Sequence, residues 1–138
     1  MKGKSIDQIN VGDSAVFQKT ITETDVYMYA GISGDINPAH INEEHMKDTI
    51  FKGRIVHGML TAGLISAVLG NQLPGPGTIY LGQDLKFTAP VRFNDTIQAK
   101  ITVKEKIVEK NRIICETTCI NQEGTVVLTG QAMVMPPK

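Results

Sequence analysis

No run of about twenty consecutive apolar residues occurs in this 138-residue chain, which excludes a membrane-spanning helix. The opening MKGKSIDQINVGD carries charges but no apolar core, so no signal peptide is expected and a cytoplasmic protein is the default. Charge of one sign is also missing. Lys+Arg and Asp+Glu balance at 14 each with no block of like charge, which leaves no footprint for nucleic acid or an anionic membrane. Cysteine is scarce. Cys115 and Cys119 lack CxxC spacing, and four residues of strand span roughly 13 Å, too far for a disulfide within one strand. Both read as buried small hydrophobes in a reducing compartment. There is no GxGxxG, no GxxxxGK[ST] and no GxSxG, hence no recognisable nucleotide phosphate loop or serine elbow. No cofactor is expected. Repeats, low-complexity segments and long linkers are absent too, so residues 1–138 are expected to form one domain.

What is present divides by period. Thr22-Glu23-Thr24-Asp25 predicts a capping box that opens a helix with Val26, Tyr29, Ala30 and Ser33 on one face. Gly31 and Gly34 end it just before Asp35. Asn42 predicts the cap of a short helix reaching about Thr49. HGMLTAGLISAVLG, His57 to Gly70, is apolar on almost every side, as a buried helix is, with Gly70-Asn71 as its expected C-cap. Beyond Pro76 the period becomes two. Ile79, Leu81, Leu85 and Phe87 alternate with polar positions, as do Ile97, Ala99, Ile101 and Val103, which is the pattern of half-buried antiparallel strands. Turns are expected at Glu109-Lys110-Asn111 and at 121–124. A last strand is expected over about Val126 to Met135, and another over Ser14 to Lys19. One buried helix and about five long strands predict an α+β fold, an antiparallel sheet curled around the helix. Such a sheet leaves an edge strand and one helix flank bare, so a homodimer is expected.

The chemistry concentrates in SGDINPAHINEEH, Ser33 to His45. Asp35 and His40 are five apart with Asn37-Pro38 between them. Pro38 forbids a continuous helix and pushes Asn37 toward extended backbone. Taken singly, Asp35 reads as a turn residue and His40 as a structural histidine. A rigid turn that holds both is a preorganised acid–base pair. Gly58 stands at the head of the buried helix, where backbone N–H groups lack partners and no Cβ blocks a ligand. It reads equally well as a close-packing glycine. His57 could be a cap, a ligand contact or a core residue. A metal site is disfavoured, because HINEEH is not HExxH and His40 and His45 would not share a helix face. His45 falls on a short surface helix.

YAGISGDINPAH, IVHGMLTAGLISAVLG and LPGPGTIYLGQDLKFTAPVRFNDT together resemble the MaoC-like (R)-specific enoyl-CoA hydratases, over about Tyr27 to Val103. The resemblance implies a single hotdog fold, a homodimer, and an acyl-CoA thioester as substrate. It implies Asp35 and His40 as the catalytic pair, Gly58 as the N–H donor to the thioester carbonyl, Ser66 near the site, and Asn37 as support for the turn. It implies reversible hydration of a trans-2-enoyl-CoA of short to medium chain. Polyester synthesis, fatty-acid oxidation and fermentation all stay open as its setting. Ala39, where larger aliphatic residues are usual, and Met46, where a small one is common, bear on pocket shape rather than reaction type. A hotdog acyl-CoA thioesterase and a non-catalytic acyl-thioester-binding subunit are the alternatives.

Overall fold

A computed structural model describes residues 1–138. In chain order it contains β1 (Ser14–Thr20), α1 (Glu23–Ser33), α2 (Pro38–Ile41), α3 (Glu43–Met46) and α4 (Gly58–Asn71). Strands β2 (Ile79–Gln83), β3 (Lys86–Phe87), β4 (Thr96–Ile107), β5 (Arg112–Ile120) and β6 (Val126–Met135) follow. The strands form one antiparallel sheet in the order β1-β4-β5-β6-β2, with β3 pairing β6. Helix α4 lies against β1, β4 and β5, so the sheet wraps it in the expected hotdog arrangement. No helix is long and apolar enough to cross a membrane.

Period-two patterning decides which faces meet the helix. Ile97, Ala99, Ile101 and Val103 of β4 are fully buried, as are Ile113, Cys115 and Cys119 of β5. They join Leu64, Ile65, Val68 and Leu69 of α4 in one hydrophobic cluster. Both cysteines are free thiols.

Three expectations need correction. Helix α4 does not stop at Gly70; it continues through Asn71 and caps at Gln72, whose N–H bonds to the Val68 carbonyl. The short helix capped by Asn42 stops at Met46, and the Thr49 hydroxyl then donates to the Met46 carbonyl in a turn. The segment from Ile79 to Phe87 is half-buried only at Gln83 and Leu85. Ile79, Tyr80, Leu81 and Phe87 are exposed, because α4 packs over β1, β4 and β5 and nothing in the chain covers β2 beyond β6. Alternation predicts which residues share a face; it does not say whether that face has a cover. The α4 flank carrying Met59, Gly63, Ser66 and Gly70 is likewise exposed.

A close backbone contact just ahead of β3 adds to its pairing with β6. A Cβ on Gly130 of β6 would lie 2.0 Å from the Asp84 carbonyl oxygen. Asp84 N–H donates to the Gln131 carbonyl at 3.0 Å, and the Asp84 carboxylate accepts from Gln131 N–H at 3.0 Å. The missing side chain at 130 lets the β2–β3 link press onto β6, which sets where Phe87 stands.

Candidate active site

The turn between α1 and α2 is built from short side chains that bond the backbone. Helix α1 opens on the expected capping box: Thr22 accepts from Asp25 N–H, and Asp25 accepts from Thr22 N–H. It closes on Gly34, whose φ of 79° is the left-handed conformation that glycine adopts without strain. The Asp35 N–H then donates to the Ser33 hydroxyl. Asn37 caps α2 through its side-chain oxygen, which accepts from Ala39 N–H at 3.0 Å. Pro38 occupies the first helical position, where its missing N–H costs nothing and its ring fixes φ. Pro38 therefore starts a one-turn helix rather than merely breaking one. His40 rides on that turn, while the Asp35 carboxylate stays exposed ahead of it.

The segment before α4 supplies the opposite wall. Ile55 N–H donates to the Ala39 carbonyl at 3.0 Å, and Val56 N–H to the Val91 carbonyl at 2.8 Å. Arg54 ties the same segment to its surroundings. It bonds Glu23 and Tyr27 of α1 and Glu43 of α3, and its guanidinium lies 4.7 Å from the Phe93 ring centroid. With these partners on three sides, Arg54 fixes the wall rather than offering a free charge.

Two histidines meet between these walls. His40 Nδ1 lies 2.7 Å from the Ile55 carbonyl oxygen. A carbonyl only accepts, so Nδ1 carries the hydrogen and Nε2 of the neutral ring presents its lone pair. His57 caps α4 and is 1% exposed. Its Nε2 lies 2.9 Å from the Asp35 carbonyl oxygen. The His40 and His57 rings stack with centroids 3.7 Å apart, and Tyr29 meets His57 edge-on at 4.7 Å. Burial, with the neighbouring His40 in support, pushes the His57 imidazole below its usual pKa, against the opposing pull of its bond to the Asp35 carbonyl.

Asp35, His40, His57 and Gly58 line a cavity of about 490 Å³. Its remaining walls are mostly apolar, among them Ile55, Val56, Phe87 and Val91. Asp35, His40 and His57 each offer one atom within 4.8 Å of the others. Asp35 and His40 share no direct hydrogen bond, and a single water can span a gap of this size. The same three groups are close enough together to approach one metal ion. An ion about 2.0–2.1 Å from one nitrogen of each stacked ring would sit well outside both ring planes, where imidazole lone pairs do not point. The cluster is better shaped for moving protons.

Gly58 is the first residue of α4. Leu60 and Thr61 N–H both turn back to the His57 carbonyl, and no acceptor in the chain takes the Gly58 N–H. A Cβ at 58 would lie 2.7 Å from the Phe87 ring, so a larger residue here would have to push that exposed ring aside.

Asp35, His40 and Gly58 thus line one cavity, and Asn37 caps α2 from outside the lining. Ser66 does not join them within one chain. It sits eight residues along α4 from Gly58, about 12 Å by helical rise, on the exposed flank. His45 is exposed on α3. His57 is the member that sequence reasoning left open, since its partner, the Asp35 carbonyl, is a backbone atom 22 residues away.

The MaoC-like domain description matches residues 8–125 of the chain. An (R)-specific enoyl-CoA hydratase of Rhodospirillum rubrum is 53% identical over 131 residues, 95% of this chain and 90% of its own. A 3-hydroxybutyryl-CoA dehydratase of Methylorubrum extorquens is 46% identical over 133 residues, 96% of this chain and 83% of its own. Among solved structures, the unliganded R-hydratase PhaJ1 of Pseudomonas aeruginosa superposes with a TM-score of 0.93 at 42% identity, covering 99% of this chain and 88% of that one. The (R)-hydratase of A. caviae involved in PHA biosynthesis gives a TM-score of 0.90 at 39% identity, covering 94% of this chain and 98% of that one.

Proposed function

This chain belongs to the MaoC-like domain family, and on that premise we propose that it is an (R)-specific enoyl-CoA hydratase, a hydro-lyase that reversibly converts trans-2-enoyl-CoA to (R)-3-hydroxyacyl-CoA. The observation that carries the assignment is the placement of the Asp35 carboxylate within 4.8 Å of an imidazole nitrogen of His40, both lining a mostly apolar cavity that Gly58 also lines.

Asp35 and His40 hold one water between them. His40 accepts on Nε2, because Nδ1 is committed to the Ile55 carbonyl. As the water oxygen bonds to C3, the pair takes one of its protons. The C2=C3 electrons move toward the thioester, and a proton from the pair closes the addition at C2 on the same face. One water is consumed and nothing is oxidised or reduced. Negative charge gathers on the thioester oxygen, where the unpaired Gly58 N–H and the positive end of α4 meet it. Both groups face the same water, so the pair rather than either residue serves as the base. Asn37 holds the turn in register through Ala39 N–H.

The carrier is CoA in this assignment, following the CoA thioesters that the two relatives' names state. An acyl chain of short to medium length suits the mostly apolar walls of a cavity of about 490 Å³. The unpaired Cys115 and Cys119 suit a cytoplasmic setting. A homodimer is supported by the bare edge strand β2 and the bare flank of α4, and Ser66 on that flank faces the partner.

The test is a spectrophotometric hydration assay with a C4-to-C10 series of trans-2-enoyl-CoA, followed by chiral analysis of the product. Loss of the conjugated-enoyl absorbance without release of thiol, giving the (R)-alcohol, is expected. Release of free CoA thiol would identify a thioesterase instead, and binding without turnover a non-catalytic subunit.

A further inference from the structure

Nothing in the hydration scheme uses His57, yet it is the most deeply buried titratable group at the site. Its Nε2 faces the Asp35 carbonyl, so Nε2 carries the hydrogen. Burial keeps the ring neutral, which leaves Nδ1 as a bare lone pair. That lone pair finds no partner in the chain. A buried acceptor left unpaired destabilises the fold. A phenylalanine or leucine would pack the same space without that cost. A histidine kept here at such expense is explained by what its other atoms do.

Those atoms reach both halves of the acid–base pair. The Nε2–H holds the backbone of Asp35, and the ring face lies on His40. The one hydrogen bond on the His40 ring is Nδ1 to the Ile55 carbonyl, and a single bond leaves the tilt of the ring to its packing. Tyr29, edge-on to His57 and 60° from its plane, restrains His57 in turn. The head of α4 positions His57 itself, because its carbonyl accepts from Leu60 and Thr61 N–H.

We propose, resting on the dyad assignment above, that His57 is a positioning residue: its Nε2–H anchors the Asp35 backbone while its ring face sets the plane of His40, so one imidazole fixes the gap in which the water is held. The helix that supplies the Gly58 N–H thereby also sets the acid–base pair, and the two halves of the site move together. Water addition needs that gap at one value, whereas substrate binding in the cavity does not. The consequence is a split between kcat and KM.

Three variants separate the two contacts. His57→Phe keeps a ring face and loses the donor. His57→Gln puts an amide N–H near the Nε2 position and loses the stack. His57→Leu loses both. Steady-state hydration of trans-2-butenoyl-CoA is measured, with circular dichroism as the check on folding. Expected is a kcat about tenfold lower in His57→Phe and in His57→Gln, about a hundredfold lower in His57→Leu, and a KM within about twofold of wild type throughout. Full kcat in both His57→Phe and His57→Gln overturns the proposal, as does a loss confined to KM. Nitrogen-detected NMR of the unaltered protein decides the same point without a variant. The proposal requires neutral His57 with the hydrogen on Nε2, and finding it on Nδ1 overturns it. Asp35→Asn runs alongside. An inactive wild type refutes the dyad assignment; an inactive Asp35→Asn with a fully active His57→Phe refutes only the role of His57.

Discussion

The imidazole rings of His40 and His57 lie stacked, 3.7 Å between centroids and 26° between planes. Two imidazolium ions at that distance repel, and the nearby Asp35 carboxylate, which favours a charge on His57, is exposed to solvent and screened. Burial, foremost, and His40 both hold its pKa below the ordinary value of 6.5, while the bond to the Asp35 carbonyl works the other way. In the unfolded chain His57 takes up a proton as pH falls through about 6.5; in the folded chain it does so only at lower pH. The unfolded state thus binds more protons in that window, and stability falls as pH drops from about 6.5. Above that pH His57 adds no slope. Thermal unfolding between pH 5 and 8 should show a falling Tm on the acid side, flattened in His57→Phe. An equal slope in both proteins would contradict the assignment.

Asp35→Asn and His40→Gln should each lower kcat by about 10²–10⁴, the usual worth of a positioned acid–base group. The fold should survive both. Asp35 is exposed, and an asparagine oxygen can still accept from Asn37 N–H. His40→Gln gives up the bond to the Ile55 carbonyl, a loss of about 1 kcal/mol. Retention of most activity in both variants, with native circular dichroism, would remove the pair from the mechanism.

These two residues were legible in the sequence because their geometry is local. Proline at the start of α2, the Asn37 cap and the Gly34 terminus are short-range devices, and five residues of chain suffice to write them. The alternation on β4 and β5 was legible for the same reason. His57 was not assignable, because its meaning depends on a carbonyl and a ring brought from another segment. The exposure of β2 was not foreseeable either. Ile79 and Leu81 alternate as Ile97 and Ala99 do, and only the position of α4 in the sheet distinguishes them.

Gly130→Ala should be among the most damaging single-methyl additions in the chain. The new Cβ would fall 2.0 Å from the Asp84 carbonyl oxygen, and the obstacle is backbone held by two bonds to Gln131. No side-chain rotation relieves it. Strands β2 and β3 must peel from β6, which moves Phe87 off the cavity. Losses of several kcal/mol in urea unfolding, or insoluble protein, are expected. A variant within about 0.5 kcal/mol of wild type would show that the link to β6 is not held as described.

Burial raises the thiol pKa of both Cys115 and Cys119 to about 12. Thiolate is the reactive form, so neither should react while the protein is folded. A chromogenic disulfide reagent should titrate essentially no thiol in the native protein and both after denaturation. Rapid native labelling would mean that β5 opens readily. The same silence lets released CoA be read against a clean background, which sharpens the distinction between hydratase and thioesterase.

Strand β2 ends the sheet with its outer backbone groups unpaired, and Ile79, Tyr80 and Leu81 are 53, 39 and 42% exposed. An exposed apolar edge, even of five residues, is a template for another strand. A second copy supplies one that is antiparallel and self-complementary, and a two-fold axis closes the assembly after one pairing. The bare α4 flank of Met59, Gly63, Ser66 and Gly70 is small enough in its side chains to accept a close neighbour in the same assembly. Light scattering should therefore give about twice the chain mass of 15.0 kDa. Leu81→Lys places a charge on the paired edge and should shift the protein toward the monomer at micromolar concentration, while the core of α4, β4 and β5 keeps its circular dichroism. A wild-type protein that runs as a monomer under the same conditions would rule out pairing through β2, and with it the placement of Ser66 against a partner.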